Sequence, residues 1–227
     1  MMNLRPPLRA PLRSRPPLGL WPLLAAILGF GLLLAPGANA QWSNDEVIHI
    51  ASPERFTLEL RIGPYEPSAA GITADDTGPL FGVELDYHIW RIPYVGPIGI
   101  GAAPSIGIYA ADGSTASTRL TLIPFPLLAS LRVDVLAREL GVPLVLTGKA
   151  GLDMIFGVHS GAESQTSFGL RWGLQLALEL DPLEPRAARA LDEEWGINHS
   201  FLFFELFGST ADLGDPMAWA AGLGFTF

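Results

Sequence analysis

The stretch "SFGLRWGLQLALEL", Ser167 to Leu180, constrains the fold more tightly than any other part of the chain. Phe168, Leu170, Trp172, Leu174, Leu176, Leu178 and Leu180 occupy every second position, opposite Gly169, Arg171, Gly173, Gln175 and Glu179. A period of two puts alternate side chains on opposite faces of an extended strand. Seven bulky apolar groups on one face exceed what a thin sandwich core demands. The pattern recurs in "RFTLELRIGPY", where Phe56, Leu58, Leu60 and Ile62 oppose Thr57, Glu59 and Arg61. It recurs in "LFGVELDYHIWRI", where Phe81, Val83, Leu85, Tyr87 and Ile89 oppose Gly82, Glu84, Asp86 and His88. In "VPLVLTGKAGLDMIF", Leu144, Leu146, Leu152, Met154 and Phe156 oppose Thr147, Lys149, Gly151 and Asp153.

Runs of about ten alternating residues match a tilted strand crossing a bilayer. A water-soluble lipocalin-like barrel alternates too, with its apolar face inward. Run length favours the membrane barrel, and so does composition: charged residues are only 16% of the chain and Lys149 is the single lysine. There is no cysteine, which excludes disulfides, thiol catalysis and a lipoprotein anchor.

The N-terminus also points to export. Arg5, Arg9, Arg13 and Arg15 precede "LLAAILGFGLLLAPGANA", an apolar run closing on Ala38-Asn39-Ala40. That is a basic region, a hydrophobic region and an A-x-A cleavage site, so residues 1–40 are expected to be a removed signal peptide. An uncleaved anchor is the alternative, but Pro22 leaves only about 13 clean apolar residues after it, short of the roughly 20 a spanning helix needs. Residues 41–53 read as a periplasmic lead-in and 54–227 as the barrel. Without the four arginines, 10 basic residues face 23 acidic ones, a formal charge near −13 that argues against nucleic acid as a partner.

A bacterial outer-membrane barrel holds an even number of strands with both termini on the periplasmic side. Counting "STRLTLIPFPLLASLRVDVLA" as one strand gives eight. Within it the apolar face reads as even before "IPFP" (Leu120, Leu122) and odd after it (Leu127, Leu131, Val133, Val135), which suggests a one-residue slip. Pro124 and Pro126 suit such a site because proline cannot donate to a ladder. A bulge or strand break is therefore predicted at 123–126. Outer loops fall at 64–79, 111–116, 158–166 and 208–216, and periplasmic connections at 91–97, 138–142 and 181–197. Within the last, "EPRAARALDEEWG" has proline near its start and glycine at its end and predicts a short helix near 184–195.

"ELRIGPYEP", "GVELDYHIW", "LRVDVLAREL" and above all "ALDEEWGINHSFLFFE" resemble a family of myxobacterial-type outer-membrane β-barrel proteins, OmpA/OmpW-like small barrels of uncharacterised function. The resemblance covers roughly residues 54–227. It implies an eight-stranded antiparallel up-and-down transmembrane barrel in the outer membrane of a Gram-negative bacterium. It carries over no catalytic or binding residues.

If the alternation is read correctly, Glu59, Arg61, Glu84, Asp86, His88, Arg132, Asp134, Lys149, Asp153, Arg171 and Glu179 face the lumen and pair into a network that fills it. In "SFLFFELF" the facing is ambiguous; Glu205 is placed inward. One His beside two acids on the same strand, His88 with Asp86 and Glu84, is a weak metal signal, and no metal or other cofactor is expected. Outer-membrane lipid hydrolases use His, Ser and an acid, which draws attention to His199, Ser200 and Glu205. Adjacent strand residues point to opposite faces, and Glu205 lies about 20 Å along the strand from His199. No enzymatic activity is expected.

The outer loops are acidic, with Glu66, Asp75, Asp76, Asp112, Glu163, Asp212 and Asp215. They read as solvated surface, with divalent bridges to lipopolysaccharide as a functional alternative. The segment "WAAGLGFTF" places Trp219, Leu223, Phe225 and Phe227 on one face. It resembles the C-terminal signal, ending in Phe, that the outer-membrane barrel assembly machinery recognises. The expected partners are that machinery, outer-membrane lipids and lipopolysaccharide, around a monomer. The expected role is envelope integrity or surface interaction. A narrow channel or lateral transporter of small hydrophobic compounds, with its exit near the proline-bearing bulge, is the alternative, and a lipid-modifying enzyme the least supported reading.

Overall fold

The computed structural model describes residues 54–68, 77–111, 118–159 and 164–227. The signal peptide, the lead-in, Asp75, Asp76, Asp112 and Glu163 lie outside them.

Ten strand segments form one antiparallel sheet: β1 (Phe56–Tyr65), β2 (Gly78–Ile92), β3 (Gly96–Ala102), β4 (Ser105–Ala111), β5 (Thr118–Pro124), β6 (Leu127–Val133), β7 (Leu144–His159), β8 (Gln165–Glu179), β9 (His199–Ser209) and β10 (Ala218–Thr226). β3 and β4 both pair with β2, and β5 and β6 both pair with β7, so the ten segments make eight staves. β1 pairs with both β2 and β10, which closes the barrel. The end where the Arg55 and Phe56 amides donate to the Phe227 carbonyl is called the near end.

The outer wall is apolar. Phe168 is 71% exposed, Leu170 61% and Leu152 62%, while the charged faces of the same strands are buried. A soluble barrel has the opposite polarity, so the lipocalin-like alternative fails and the outward band is the face that meets lipid. No helix among the described residues is long and apolar enough to cross a membrane.

The strand break predicted at 123–126 is present at Pro124–Pro126, but the one-residue slip that suggested it is not. Ile123, Phe125 and Leu127 are exposed, whereas Leu120, Leu122, Pro124, Pro126 and Leu128 are buried, so one parity runs through the whole stave. Leu120 and Leu122 point inward because the lumen at the far end is itself apolar. A true bulge lies elsewhere, where the β2–β3 register shifts between His88 and Trp90 and leaves Ile89 and Trp90 both outward.

The predicted helix is α2 (Pro185–Trp195), started by proline and stopped by Gly196 at φ +68°. A second helix, α1 (Val135–Leu140), was not expected. Val135 therefore leaves the strand face assigned to it. The helix formers of "VLAREL", stopped by Gly141 at φ +65°, were the available signal.

Candidate functional site: a stratified lumen

Three layers fill the barrel. The middle one is ionic. Lys149 on β7 sends its ammonium to Glu84 Oε1 at 2.7 Å, Glu59 Oε2 at 2.9 Å and Glu205 Oε2 at 3.1 Å. Arg61 pairs with Glu84 at 2.8 Å and with Glu205. Gln175 donates to the free oxygen of Glu59 at 2.8 Å. Strand parity aims each group inward, and the register sets them at one height: Glu59 lies opposite Glu84, and Gln175 opposite Glu205. The three glutamates have carboxylate oxygens within 4.8 Å of one another, a spacing that could hold a cation. Lys149 places its own ammonium among them.

Above this layer, Arg171 approaches Asp153 at 3.9 Å and lies over the Phe207 ring at 4.1 Å. Beyond them the far end closes on an apolar cluster that includes Tyr65, Tyr109, Leu120, Leu122, Ile155 and Leu213. Leu213 comes from the β9–β10 connection, which folds back into the mouth of the barrel. It is pinned there: Ser209 N donates to Asp215 O at 2.8 Å, Thr210 N to Leu170 O at 2.9 Å, and Glu66 N to Asp215 Oδ2 at 2.8 Å. Asp215, expected on a solvated loop surface, is therefore buried as a loop anchor. Asp212 and Glu66 are exposed.

Toward the near end, Arg132 reaches Glu179 at 3.3 Å and Thr226 Oγ1 at 3.1 Å and covers the Phe201 ring. The rim holds a separate network. Asp134 accepts from Arg91 at 2.6 Å and Arg138 at 2.8 Å, and both arginines also meet Glu54.

Of the eleven residues read as lumenal, Glu59, Arg61, Glu84 and Lys149 meet directly. Asp153 with Arg171 and Arg132 with Glu179 form pairs above and below. Asp86 is buried opposite Gly101, where a Cβ would overlap its carboxylate. Asp134 belongs to the rim rather than the central layer. His88 is only half-buried and joins no lumenal acid; its ring meets Thr57 Oγ1 at 3.1 Å and the Glu54 carbonyl at 3.3 Å. Glu54, Arg91 and Arg138 are rim residues that sequence reading missed, because Glu54 and Arg138 lie outside the alternating runs and Arg91 follows the bulge at which the alternation of β2 is lost.

His199 and Ser200 do meet one carboxylate, contrary to the argument from strand faces. Asp181 accepts from His199 Nδ1 at 2.6 Å and from the Ser200 amide and hydroxyl at 3.1 and 3.2 Å. The turn after β8 brings it under both. A nucleophilic serine needs its hydroxyl on the imidazole, whereas this hydroxyl lies on the acid. Glu205, the acid first considered, is in the central layer.

No protein-family profile matches the chain, and no curated protein matches it. Solved structures do. The outer membrane protein OprG from Pseudomonas aeruginosa is similar at 13% identity and a TM-score of 0.51, covering 77% of this chain and 96% of that one. Ail, the attachment invasion locus protein of Yersinia pestis, was solved in complex with the heparin analogue sucrose octasulfate. It matches at 13% identity and a TM-score of 0.48, covering 77% of this chain and 97% of that one. What OprG shares with this chain is the fold, a small closed antiparallel barrel.

The rim network carries a pH dependence. Burial alone would raise the Glu54 carboxyl, but the hydrogen bond from His199 and the charges of Arg138, His199 and Arg132 outweigh it and lower it from 4.5 to about 2. A depressed carboxyl contributes stability that is present above its unfolded value and lost as pH falls through its folded one. The unfolding free energy is expected to drop between pH 4.5 and 2, by at most about 3 kcal/mol for this group. Glu54→Gln is expected to flatten that part of the profile. An unchanged profile in the variant would remove Glu54 from this role.

Proposed function

We propose that this chain is a non-enzymatic barrel of a Gram-negative outer membrane, reached through a cleaved signal peptide, that serves envelope integrity or surface interaction with its lumen closed. The observation that carries the reading is the filling of the lumen: an ionic layer centred on Lys149 lies under an apolar cap that includes the inserted Leu213. A water-filled path would need both to part. Nine of the eleven residues, all but His88 and Asp134, then act as structural filling of the lumen. Trp219, Leu223, Phe225 and Phe227 serve as the signal for the barrel assembly machinery, and lipid and lipopolysaccharide are the partners of the outer band. Membership of the narrower myxobacterial-type family rests on the four segments quoted above, and most of all on the "ALDEEWGINHSFLFFE" block. Protein refolded into planar bilayers is expected to give no conductance steps. Reproducible open channels would overturn the closed-lumen reading.

One observation favours the lateral-transport alternative. Neighbouring staves are both broken at the same height, at Ala103–Pro104 and at Pro124–Pro126. Backbone bonds still bridge the breaks, from Val83 to Pro104 at 3.0 Å, Ala103 to Pro126 at 3.1 Å and Phe125 to Met154 at 2.7 Å. Passage there would require breaking them.

A further inference from the structure

At the near rim the turn between β2 and β3 stands away from α1 and leaves a cavity of about 650 Å³. Sites for small molecules commonly measure roughly 300–1,000 Å³. One side of the cavity is the outer wall, where the bulge turns Ile89 and Trp90 outward at 58% and 63% exposure. The other side is charged. Arg91 and Arg138 each pair with Asp134 and Glu54, yet their side chains are still 44% and 34% exposed, so donors remain free to face the cavity. Glu139 on α1 also lines it, and its carboxylate has no ion-pair or hydrogen-bond partner among the described residues.

The turn itself is strained. Tyr94 has φ +62°, the left-handed region, and the residue is 83% exposed beside the cavity. An aromatic residue in that region costs about 1–2 kcal/mol, and such strain concentrates at ligand clamps.

The charge balance selects the ligand. Three carboxylates (Glu54, Asp134, Glu139) against two guanidiniums leave one negative charge, which disfavours a simple anion. A group carrying a phosphate together with its own cation satisfies both sets: the phosphate on the exposed Arg91 and Arg138 donors, the cation on Glu139. The apolar wall directly above offers a path for acyl chains along Ile89 and Trp90.

We propose that this cavity binds the headgroup of a phosphoethanolamine lipid from the leaflet adjoining the near end. The proposal rests on the membrane reading of the outer wall. The test is native mass spectrometry of the full chain, refolded in detergent and exposed in turn to dioleoyl phosphatidylethanolamine, dioleoyl phosphatidylglycerol and dioleoylglycerol, with soluble phosphoethanolamine as competitor. One phosphatidylethanolamine should be retained in preference to the other two lipids. Arg91→Gln and Glu139→Gln should each lower its occupancy by about tenfold or more, the range of a lost charge-assisted contact. Neither residue lies in the central layer, and Glu139 is unpaired, so its variant keeps the test open if Arg91→Gln fails to fold. Equal retention of all three lipids, or undiminished occupancy in a folded Glu139→Gln, would overturn the site. Retention of soluble phosphoethanolamine as tightly as the lipid, at equal concentration, would overturn a lipid source. Heat-modifiable gel migration and insertion into vesicles are read on the same samples. Their absence in the wild type would sink the membrane reading and this site together, whereas a folded, inserted barrel that retains no lipid sinks the site alone.

Discussion

Lys149→Met is expected to destabilise the barrel by about 3–5 kcal/mol, because it leaves buried carboxylates without their cation. The ammonium lies within 3.1 Å of Glu59, Glu84 and Glu205 at once, and its side chain is 1% exposed. Arg61 compensates only two of the three, Glu84 and Glu205. Adding Glu59→Gln to Lys149→Met should restore part of the stability, since that carboxylate would otherwise keep only Gln175. Urea unfolding in vesicles, followed by gel migration, measures both variants. A wild-type midpoint in Lys149→Met would show that the layer is not held by this charge. Additive effects in the double variant would show that Glu59 and Lys149 are uncoupled.

Gly222→Ala is expected to cost about 3 kcal/mol or more and to lower the yield of closed barrel. Gly222 lies opposite Arg61 in the β1–β10 pair, the seam that closes the barrel. A Cβ there would overlap the Leu60 carbonyl oxygen, and the Phe203 ring stands 2.8 Å away. Backbone cannot swing aside as a flexible side chain can, so the two strands would have to part. Gly148→Ala supplies the control, because a Cβ at Gly148 meets nothing within 4 Å. If both variants refold to the same yield and midpoint, close approach at the seam is not what requires glycine.

Alternation made the staves legible because every position meets one of two different media, lipid or lumen. It showed that two faces differ without showing which was inward. Where the lumen is polar, as around Arg171 and Lys149, polarity supplied the answer. Where it is apolar, Leu120 and Leu122 were assigned to the wrong side, since an apolar plug and a lipid-facing wall call for the same residues. Helix α2 was legible from its proline and glycine. The shorter α1 was absorbed into the strand before it, because Val135 continued the period of two.

The rim was opaque for another reason. Glu54, Arg91, Asp134, Arg138, Asp181 and His199 come from segments up to 145 residues apart, between Glu54 and His199, and none carries a local motif. Their meeting depends on closure of the sheet, which brings the chain just before β1 beside the start of β9.

By itself the sequence determined a closed barrel of eight staves with a polar interior, because the two-residue period and the turn residues between runs are local properties of the chain. The tertiary structure alone decided that Lys149 is encircled by three glutamates, that Leu213 caps the lumen and that a charged cavity lies at the rim. Those depend on strand register and loop placement, which bring together residues that no local pattern connects.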